Sequence, residues 1–415
     1  MGSEAKRRRH NDEGDVAMVE GRGEDIVRIP LGHPPVVFAL PGSEGLVKQV
    51  FEHLTWKPGD VTYKVFDNGE ISVKVEQTVA NRDVFVLWAR DDTTAEVNFA
   101  LMRLMLLISA LQGEAPDRIV VILPSLEYAR QDRRSVAGEA IPPKLLLNCM
   151  GTVGANRFLT MDLHNQAQAA FAPPGTVLDE LSADMYLASF VRSKIDDFDE
   201  DHFLVCATNG GGMKFTRRMA DRLRTGFIMA DRFRPKAGGP GQIKIIADSR
   251  IESVKGIVIV DDMFDTCGSL VAVVEALQAY APEARLYAVA THGYFSGEAH
   301  LQVKKLVETF GLEWLAVTNS IDQTGIISRL ENVGIKNRLM VVDVSKLFAG
   351  AIIRIHLGES VNVPQFKVLG PTSADPVLQG AAMVPQHQGA AGGGSVAPAS
   401  CLGVVKMEDS MKVTS

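Results

Sequence analysis

Cysteine is scarce in this chain, with four residues among 415, and no two of them form a CxxC pair. Nothing therefore indicates a disulfide framework or a cysteine-rich zinc site, and a reducing, cytoplasmic compartment is the simplest expectation. A surplus of positive charge is also missing, because the formal net charge is −7. Composition consequently gives no support for nucleic-acid binding.

Long hydrophobic runs are absent as well. The most apolar stretch, residues 99–111, contains Arg103 and is shorter than the roughly 20 residues that a membrane-spanning helix needs. The N-terminus has no apolar signal-peptide core, so we expect no membrane association. The chain does contain 46% hydrophobic and 22% charged residues, which is ordinary for a soluble globular protein.

Both ends of the chain are polar or of low complexity. Residues 1–33 carry mixed charges, and their basic cluster at 6–9 is more typical of a solvated arm than of a nuclear-import signal. Residues 366–415 are rich in Ala, Gly, Pro, Gln and Ser. Such segments bury too little apolar surface to offset the entropy lost on ordering, so we expect both ends to be disordered.

Short apolar runs alternate with helical periodicity between these ends. The runs that predict strands are continuously apolar and lie at residues 36–40, 83–88, 119–123, 158–161, 203–207, 257–260, 286–290, 315–318 and 339–342. Continuous runs are typical of parallel strands covered on both faces. Apolar residues at 97, 101, 104, 108 and 111 form one helical stripe, and those at 270, 274 and 277 form a second.

This pattern predicts an α/β protein. About nine strands exceed one compact sheet of typical size. We therefore expect two domains, residues 34–180 and 181–365, each a mostly parallel sheet flanked by helices.

The strongest local signal is the segment 256–269, where a buried strand leads into Asp261 and Asp262 and then into a helix. Ligands of open α/β sheets bind at the carboxyl ends of the strands, and a helix N-terminus offers free N–H groups to a phosphate. The loop between strand and helix consists of Asp265, Thr266, Cys267, Gly268 and Ser269. Paired aspartates alone would indicate only an acidic turn, but the whole segment predicts a phosphosugar site.

This segment resembles the phosphoribosyl-pyrophosphate loop shared by phosphoribosyltransferases and ribose-phosphate pyrophosphokinases. Further stretches resemble the pyrophosphokinases in the expected order, at residues 66–70, 128–132, 161–164, 291–297, 317–319 and 358–361. The resemblance implies two phosphoribosyltransferase-like domains and Mg²⁺-dependent transfer of pyrophosphate from ATP to the anomeric hydroxyl of ribose 5-phosphate. It also implies that Asp261 and Asp262 face the ribose and that residues 265–269 hold its 5-phosphate.

The resemblance assigns further residues to ATP. Asn68 and Glu70 match a pair that reads adenine from a neighbouring subunit, which implies a homodimer that builds to a hexamer. Arg130 and Gln131 match ATP-binding residues. Ordinary alternatives are a turn at 67–69 and a solvated basic loop around Arg130.

Metal and transition-state roles follow in the same way. His164, with Asp162 beside it, matches a Mg²⁺ ligand at the ATP phosphates, although a structural histidine after a strand is the ordinary alternative. Asn209 stands where the family has a metal-holding Asp, and its amide oxygen lacks the charge that Mg²⁺ prefers. Arg232 occupies a Lys position in the family's catalytic loop, and Arg234 matches the Arg of that loop. Arg is planar and bulkier than Lys, so this exchange is not conservative.

Three functions remain open on the sequence. The first is an active ribose-phosphate diphosphokinase, and the second is a catalytically impaired paralogue that assembles with active subunits. The departures at Asn209 and Arg232 favour the second, and the intact segment 261–269 favours the first. A phosphoribosyltransferase is the third, but its base-binding hood is not evident.

Overall fold

The computed structural model describes residues 34–54, 56–91, 97–233, 242–246, 251 and 253–361. The predicted arm at 1–33 and tail at 366–415 lie outside these residues, as does Arg234. No helix in the described part of the chain is long and apolar enough to cross a membrane.

The first half of the described chain forms one parallel sheet and one hairpin. Its elements are β1 (Val36–Ala39), α1 (Glu44–His53), β2 (Val61–Val65), β3 (Ile71–Val75), β4 (Asp83–Leu87), α2 (Val97–Gly113), β5 (Arg118–Ile122), α3 (Pro142–Thr152), β6 (Arg157–Met161) and β7 (Val177–Leu181). The sheet has the strand order β1-β4-β5-β6-β7, and all its neighbours are parallel. Strands β2 and β3 form a separate antiparallel pair.

The second half forms a larger sheet. Its elements are α4 (Asp184–Lys194), β8 (Phe203–Ala207), α5 (Met213–Leu223), β9 (Gly226–Phe233), β10 (Gln242–Ile246), β11 (Gly256–Phe264), α6 (Gly268–Tyr280), β12 (Arg285–Gly293), α7 (Ala299–Glu308), β13 (Trp314–Thr318), α8 (Thr324–Asn332), β14 (Leu339–Val342) and α9 (Ser345–His356). The strand order is β10-β9-β8-β11-β12-β13-β14. Only the β9–β10 pair is antiparallel.

The predicted α/β fold with mostly parallel sheets is confirmed, and each of the nine predicted strands is present. Strands β2, β3, β7, β9 and β10 were not predicted. In β2 and β3 exposed residues alternate with more buried ones, so these strands lack the continuous apolar run that marks the covered strands. Both predicted helical stripes are buried, in α2 and α6, except that Val97 at the start of α2 is only partly buried.

Strand β11 is longer than predicted, and this extension positions the paired aspartates. It was expected to end at Val260 but continues to Phe264, because Asp261 pairs with Ala290 of β12 after the β8 partner has ended at Ala207. Asp261 and Asp262 therefore lie within a strand rather than in a turn.

The last described helix packs against the first. Helix α9 contacts α1, and both contribute to one hydrophobic core that includes Val50 and Ile352. A division of the chain near residue 180 stays a prediction, with β7 ending at Leu181 and α4 beginning at Asp184.

A cluster of charges fastens the end of α9 to the first sheet. Arg118 donates from Nε to Asp83 Oδ1 at 2.6 Å and from NH2 to the carbonyl of Ile355 at 2.5 Å. His356 Nδ1 lies 2.6 Å from Asp83 Oδ2. Burial opposes ionisation of Asp83, but the hydrogen bonds from His356 and Arg118 outweigh it, so the pKa of this carboxyl lies below its ordinary value.

Asp83→Asn is expected to lower the free energy of unfolding at pH 7 by about 2 kcal/mol, because hydrogen bonds to a buried charge are lost. A depressed folded-state pKa contributes stability that is present above the unfolded-state value, about 4, and is lost as pH falls through the folded-state value. The difference between wild type and variant should therefore shrink below about pH 4. Urea unfolding across pH measures it, with the exposed Asp117→Asn as control. A difference that stays constant down to pH 2 would contradict the ionic account.

Candidate active site

A cleft of about 550 Å³ opens where strands of both sheets end. It gathers residues that follow β5, β6 and β8, together with Asp262 near the end of β11, and such strand ends are where open α/β sheets bind ligands. Its polar lining comprises Arg130, Asp132, Arg133, Ser135, Asp162, His164, Asn165, Gln166, Glu180, Asn209, Lys214, Arg218 and Asp262. Several residues predicted for ATP, metal and ribose therefore share one cavity.

His164 and Asp262 meet across this cleft. His164 Nδ1 lies 2.7 Å from Asp262 Oδ2, although the two residues are 98 positions apart. The hydrogen bond to Asp262 raises the pKa of His164 against the opposing effect of burial. Burial alone would raise the pKa of Asp262, but the bond from His164 holds it below its usual value. The two side chains are thus joined by one hydrogen bond, in which Nδ1 of His164 faces a carboxylate oxygen of Asp262.

The neighbouring Asp261 has the opposite character. Thr208 Oγ1 donates to Asp261 Oδ2 at 2.6 Å, and the backbone N–H of Asp262 donates to Oδ1 at 3.0 Å. Burial, followed by the negative charge of Asp262, raises the pKa of Asp261 well above its usual value. The two adjacent carboxyls therefore carry one negative charge between them more readily than two.

Asn209 is built into the turn that follows β8. Its Oδ1 accepts from the N–H groups of Gly211 at 2.8 Å and Gly212 at 3.2 Å. Its Nδ2 donates to Thr208 Oγ1 at 3.0 Å, and Thr208 in turn donates to Asp261. The amide thus supplies a donor that a carboxylate could not, and it supports the hydroxyl that holds Asp261.

Residues 265–269, the phosphate loop, lie between β11 and α6. Cys267 has a left-handed backbone (φ 60°), and α6 begins at Gly268. A Cβ added at Gly268 would meet only Thr266 Oγ1, at 3.9 Å, so the space above this glycine is open. Burial raises the pKa of Cys267 to about 12, so its thiol is neutral. Thr266 and Ser269 are exposed, so their two hydroxyls lie open beside the start of α6, and a helix N-terminus offers free N–H groups.

Arg130 joins the ATP-side loop to the phosphate loop through an ion pair with Asp265. It lines both the cleft and a second hollow of about 350 Å³. Gln131 lines only the second hollow, together with Glu127 and Tyr294.

The remaining predicted residues occupy three different parts of the fold. Asn68 and Glu70 are exposed in the turn between β2 and β3, where Asn68 Oδ1 accepts from the N–H of Glu70 at 3.1 Å, and neither lines the cleft or the second hollow. Arg232 lies in β9 opposite Ile243 of β10. Asp162 borders the cleft but is only 3% exposed.

Sequence reasoning missed Lys214, Arg218 and Glu180. Lys214 is the second residue after the triple glycine, and Arg218 lies four residues further on the same face of α5, so a helical projection could have found both. Glu180 accepts from the N–H of Leu163 at 2.9 Å. No local pattern marks it, because that contact joins the ends of two neighbouring strands.

The cleft suits a metal that arrives with a nucleotide. In the part of the chain that the structure describes, no group of three or more His, Cys, Asp and Glu side chains could hold an ion. His164 uses Nδ1 for Asp262, which leaves Nε2 for a metal, whereas the Asn209 oxygen already accepts two hydrogen bonds. Mg²⁺ commonly takes most of its ligands from substrate phosphates and water, and that donor set fits this site.

Two mostly parallel sheets flanked by helices, with a polar cleft where strands of both sheets end, define an α/β protein. The profile of the N-terminal domain of ribose phosphate pyrophosphokinase matches residues 35–154. The profile of the phosphoribosyl synthetase-associated domain matches residues 239–364.

Full-length relatives agree with these profiles. A ribose-phosphate pyrophosphokinase of Staphylococcus epidermidis is 33% identical over 79% of this chain and 95% of its own length. Ribose-phosphate pyrophosphokinase 2 of Schizosaccharomyces pombe is 32% identical over 79% and 96%. The crystal structure of phosphoribosylpyrophosphate synthetase from Mycobacterium smegmatis superposes with a TM-score of 0.67 at 26% identity, covering 78% of this chain and 99% of that one. The chain belongs to the ribose-phosphate pyrophosphokinase family of enzymes.

Proposed function

We propose that this protein is an active ribose-phosphate diphosphokinase, which transfers the pyrophosphoryl group of ATP to ribose 5-phosphate. One observation carries the proposal: Arg130 and His164 contact Asp265 and Asp262 directly, so the residues expected to bind ATP touch those expected to bind the sugar phosphate. Two substrates bound at these contacts would meet without a large rearrangement, which is what transfer between them requires.

The residues around the cleft and the second hollow have distinct tasks, with Asp265 of the phosphate loop lining the second hollow. The phosphate loop holds the 5-phosphate, and Asp261 and Asp262 accept hydrogen bonds from ribose hydroxyls. The polyphosphate lies against Arg130 and Lys214. The anomeric oxygen forms a bond to the β-phosphorus and releases its proton to solvent, while the bond from that phosphorus to the α,β-bridging oxygen breaks and AMP leaves with that oxygen.

Mg²⁺ bound to the ATP phosphates would neutralise part of their charge, with His164 Nε2 as its ligand from this chain. Arg232 and Arg234 belong to the proposal as groups that stabilise charge in the transition state.

The position of Asn68 and Glu70 supports an oligomer. Because neither lines the cleft of its own chain, an adenine that they read would be bound mainly by a neighbouring subunit. A homodimer that builds to a hexamer is therefore part of the proposal.

A cytoplasmic location is also part of the proposal, supported by the few and scattered cysteines.

A catalytically impaired subunit that assembles with active paralogues is the second candidate. The observation that favours it is Asn209, whose amide contributes no negative charge and whose oxygen is occupied by the turn.

Incubation of the full chain with ATP, Mg²⁺ and ribose 5-phosphate should give AMP and phosphoribosyl pyrophosphate in equal amounts. Asn209→Asp should lower the Mg²⁺ concentration for half-maximal rate by about tenfold, since a carboxylate is the better ligand. The same variant should unfold at a lower temperature, because Thr208 loses its donor. Asn337→Asp, exposed in a turn, is the control for added charge.

Product from Asn209→Asp alone would favour the impaired subunit. Absence of product from both proteins would overturn the proposed activity for this chain by itself.

A further inference from the structure

Asp162 directly follows β6 and lies two residues before His164. Its backbone has a positive φ of 38°, a conformation that non-glycine residues adopt rarely and that needs support from its surroundings. Its side chain is 2% exposed although it borders the cleft. A buried carboxylate at such a position needs donors.

Four donors reach this carboxylate. Oδ1 accepts from Ser182 Oγ at 2.9 Å and from Arg218 NH2 at 3.0 Å. Oδ2 accepts from the N–H of Ala183 at 2.9 Å and from Thr291 Oγ1 at 2.8 Å. An ionised carboxylate offers about four lone-pair sites, so these donors fill it. A metal could bind only by displacing one of them.

We propose that Asp162 is a positioning residue that fixes His164 at the edge of the cleft, and that it is not a metal ligand. This inference rests on the proposed function, under which His164 meets the metal-bound ATP phosphates. Asp162 acts on His164 through the turn at residues 162–164.

The origin of the donors shows how the positioning works. Ser182 and Ala183 follow β7, Thr291 lies in β12, and Arg218 lies in α5. One carboxylate therefore joins the end of the first sheet to a strand and a helix from the second half of the chain. Thr291 is 129 positions away along the chain.

The residues on either side of Asp162 are held in the same way. His292 Nε2 bonds to the carbonyl of Met161 at 3.0 Å, and Glu180 accepts from the N–H of Leu163 at 2.9 Å. His164 is therefore the first exposed residue after β6, and it is hydrogen-bonded to Asp262 in the cleft.

Asn cannot replace Asp162 without loss. If the amide nitrogen takes the Oδ1 position it faces the guanidinium of Arg218, and if it takes the Oδ2 position it faces the N–H of Ala183. Both of those groups only donate, so either orientation places a donor against a donor. Thr291→Val removes one donor to the same carboxylate without changing any residue that lines the cleft.

The test measures metal binding, stability and turnover in wild type, Asp162→Asn, Thr291→Val and the double variant. Mn²⁺ binding in the presence of ATP is followed by electron paramagnetic resonance, and unfolding is followed in urea. We expect the two single variants to lose Mn²⁺ affinity to a similar degree, within about threefold of each other. We also expect their costs in unfolding free energy to be non-additive, as for residues in contact.

Turnover distinguishes a positioning role of Asp162 from a general disruption of the structure. In a His164→Ala background, Asp162→Asn should lower kcat by less than about twofold, because the residue through which it acts is already gone. A further large loss in that background would overturn the positioning role.

Mn²⁺ binding decides whether Asp162 is a positioning residue or a metal ligand. A loss of tenfold or more in Mn²⁺ affinity for Asp162→Asn, with less than twofold for Thr291→Val, would show Asp162 to be a direct ligand and overturn the inference. Both binding and unfolding are measured without turnover. A wild-type protein that makes no product would therefore overturn the proposed function while these measurements still decide the role of Asp162.

Discussion

Gly268→Val is expected to weaken ribose 5-phosphate binding by at least about 100-fold, because two charge-assisted hydrogen bonds from the loop, each contributing roughly 1.5–3 kcal/mol, would be lost. The side chain would occupy the open space above the phosphate loop, where the 5-phosphate is proposed to lie. The fold should survive, since a Cβ at this position meets only Thr266 Oγ1 at 3.9 Å.

Isothermal titration of ribose 5-phosphate measures the affinity, and thermal unfolding checks the fold. Gly45→Val is the matched control, because Gly45 also lies in the first turn of a helix and an added Cβ there meets nothing within 4 Å. That variant should bind as the wild type does. If Gly268→Val retained wild-type affinity, the 5-phosphate would have to bind elsewhere.

His164→Ala is expected to lower kcat by about 100- to 1000-fold, which is the usual effect of removing one preorganised group that stabilises transition-state charge. The substitution removes the hydrogen-bond partner of Asp262 and leaves two adjacent carboxyls, Asp261 and Asp262, without it. The affinity for ribose 5-phosphate should also fall, because without His164 the two carboxyls retain a shared proton more readily and accept hydrogen bonds from the sugar hydroxyls less well.

His202→Ala provides a closely matched control. His202 Nδ1 lies 2.7 Å from Asp199 Oδ1, the same separation as in the His164–Asp262 pair, but His202 does not line the cleft. Steady-state kinetics with AMP as the measured product should show wild-type kcat for this control. If both variants kept wild-type kcat, His164 would have no part in the chemistry.

Much of the fold could be predicted because its signals are local. The covered strands are continuous apolar runs, and α2 and α6 carry apolar stripes at helical spacing, so each element is visible in a short window of sequence. Strands β2 and β3 were not predicted because they are partly exposed. Strands β9 and β10 were not predicted because they form an antiparallel pair at one end of the sheet, and that pairing depends on tertiary contacts.

Some residues of the candidate site could likewise be predicted from the sequence, and others could not. The segment from Asp261 to Ser269 could be recognised because strand, carboxylates, glycine and helix follow one another directly. Lys214 and Arg218 could have been found by projecting α5, whereas Glu180 could not. The extension of β11 past Val260 was missed because it depends on a neighbouring strand, β12, and not on apolar character.

The sequence by itself determined the α/β class and the parallel strands, and it predicted a phosphate loop at residues 265–269, because residues close in the chain set periodicity and turn chemistry. Only the tertiary structure decided that His164 meets Asp262, that Arg130 meets Asp265 and that four donors fill the carboxylate of Asp162. Those contacts join residues between 20 and 135 positions apart, and they exist because the ends of several strands come together at one place in the fold.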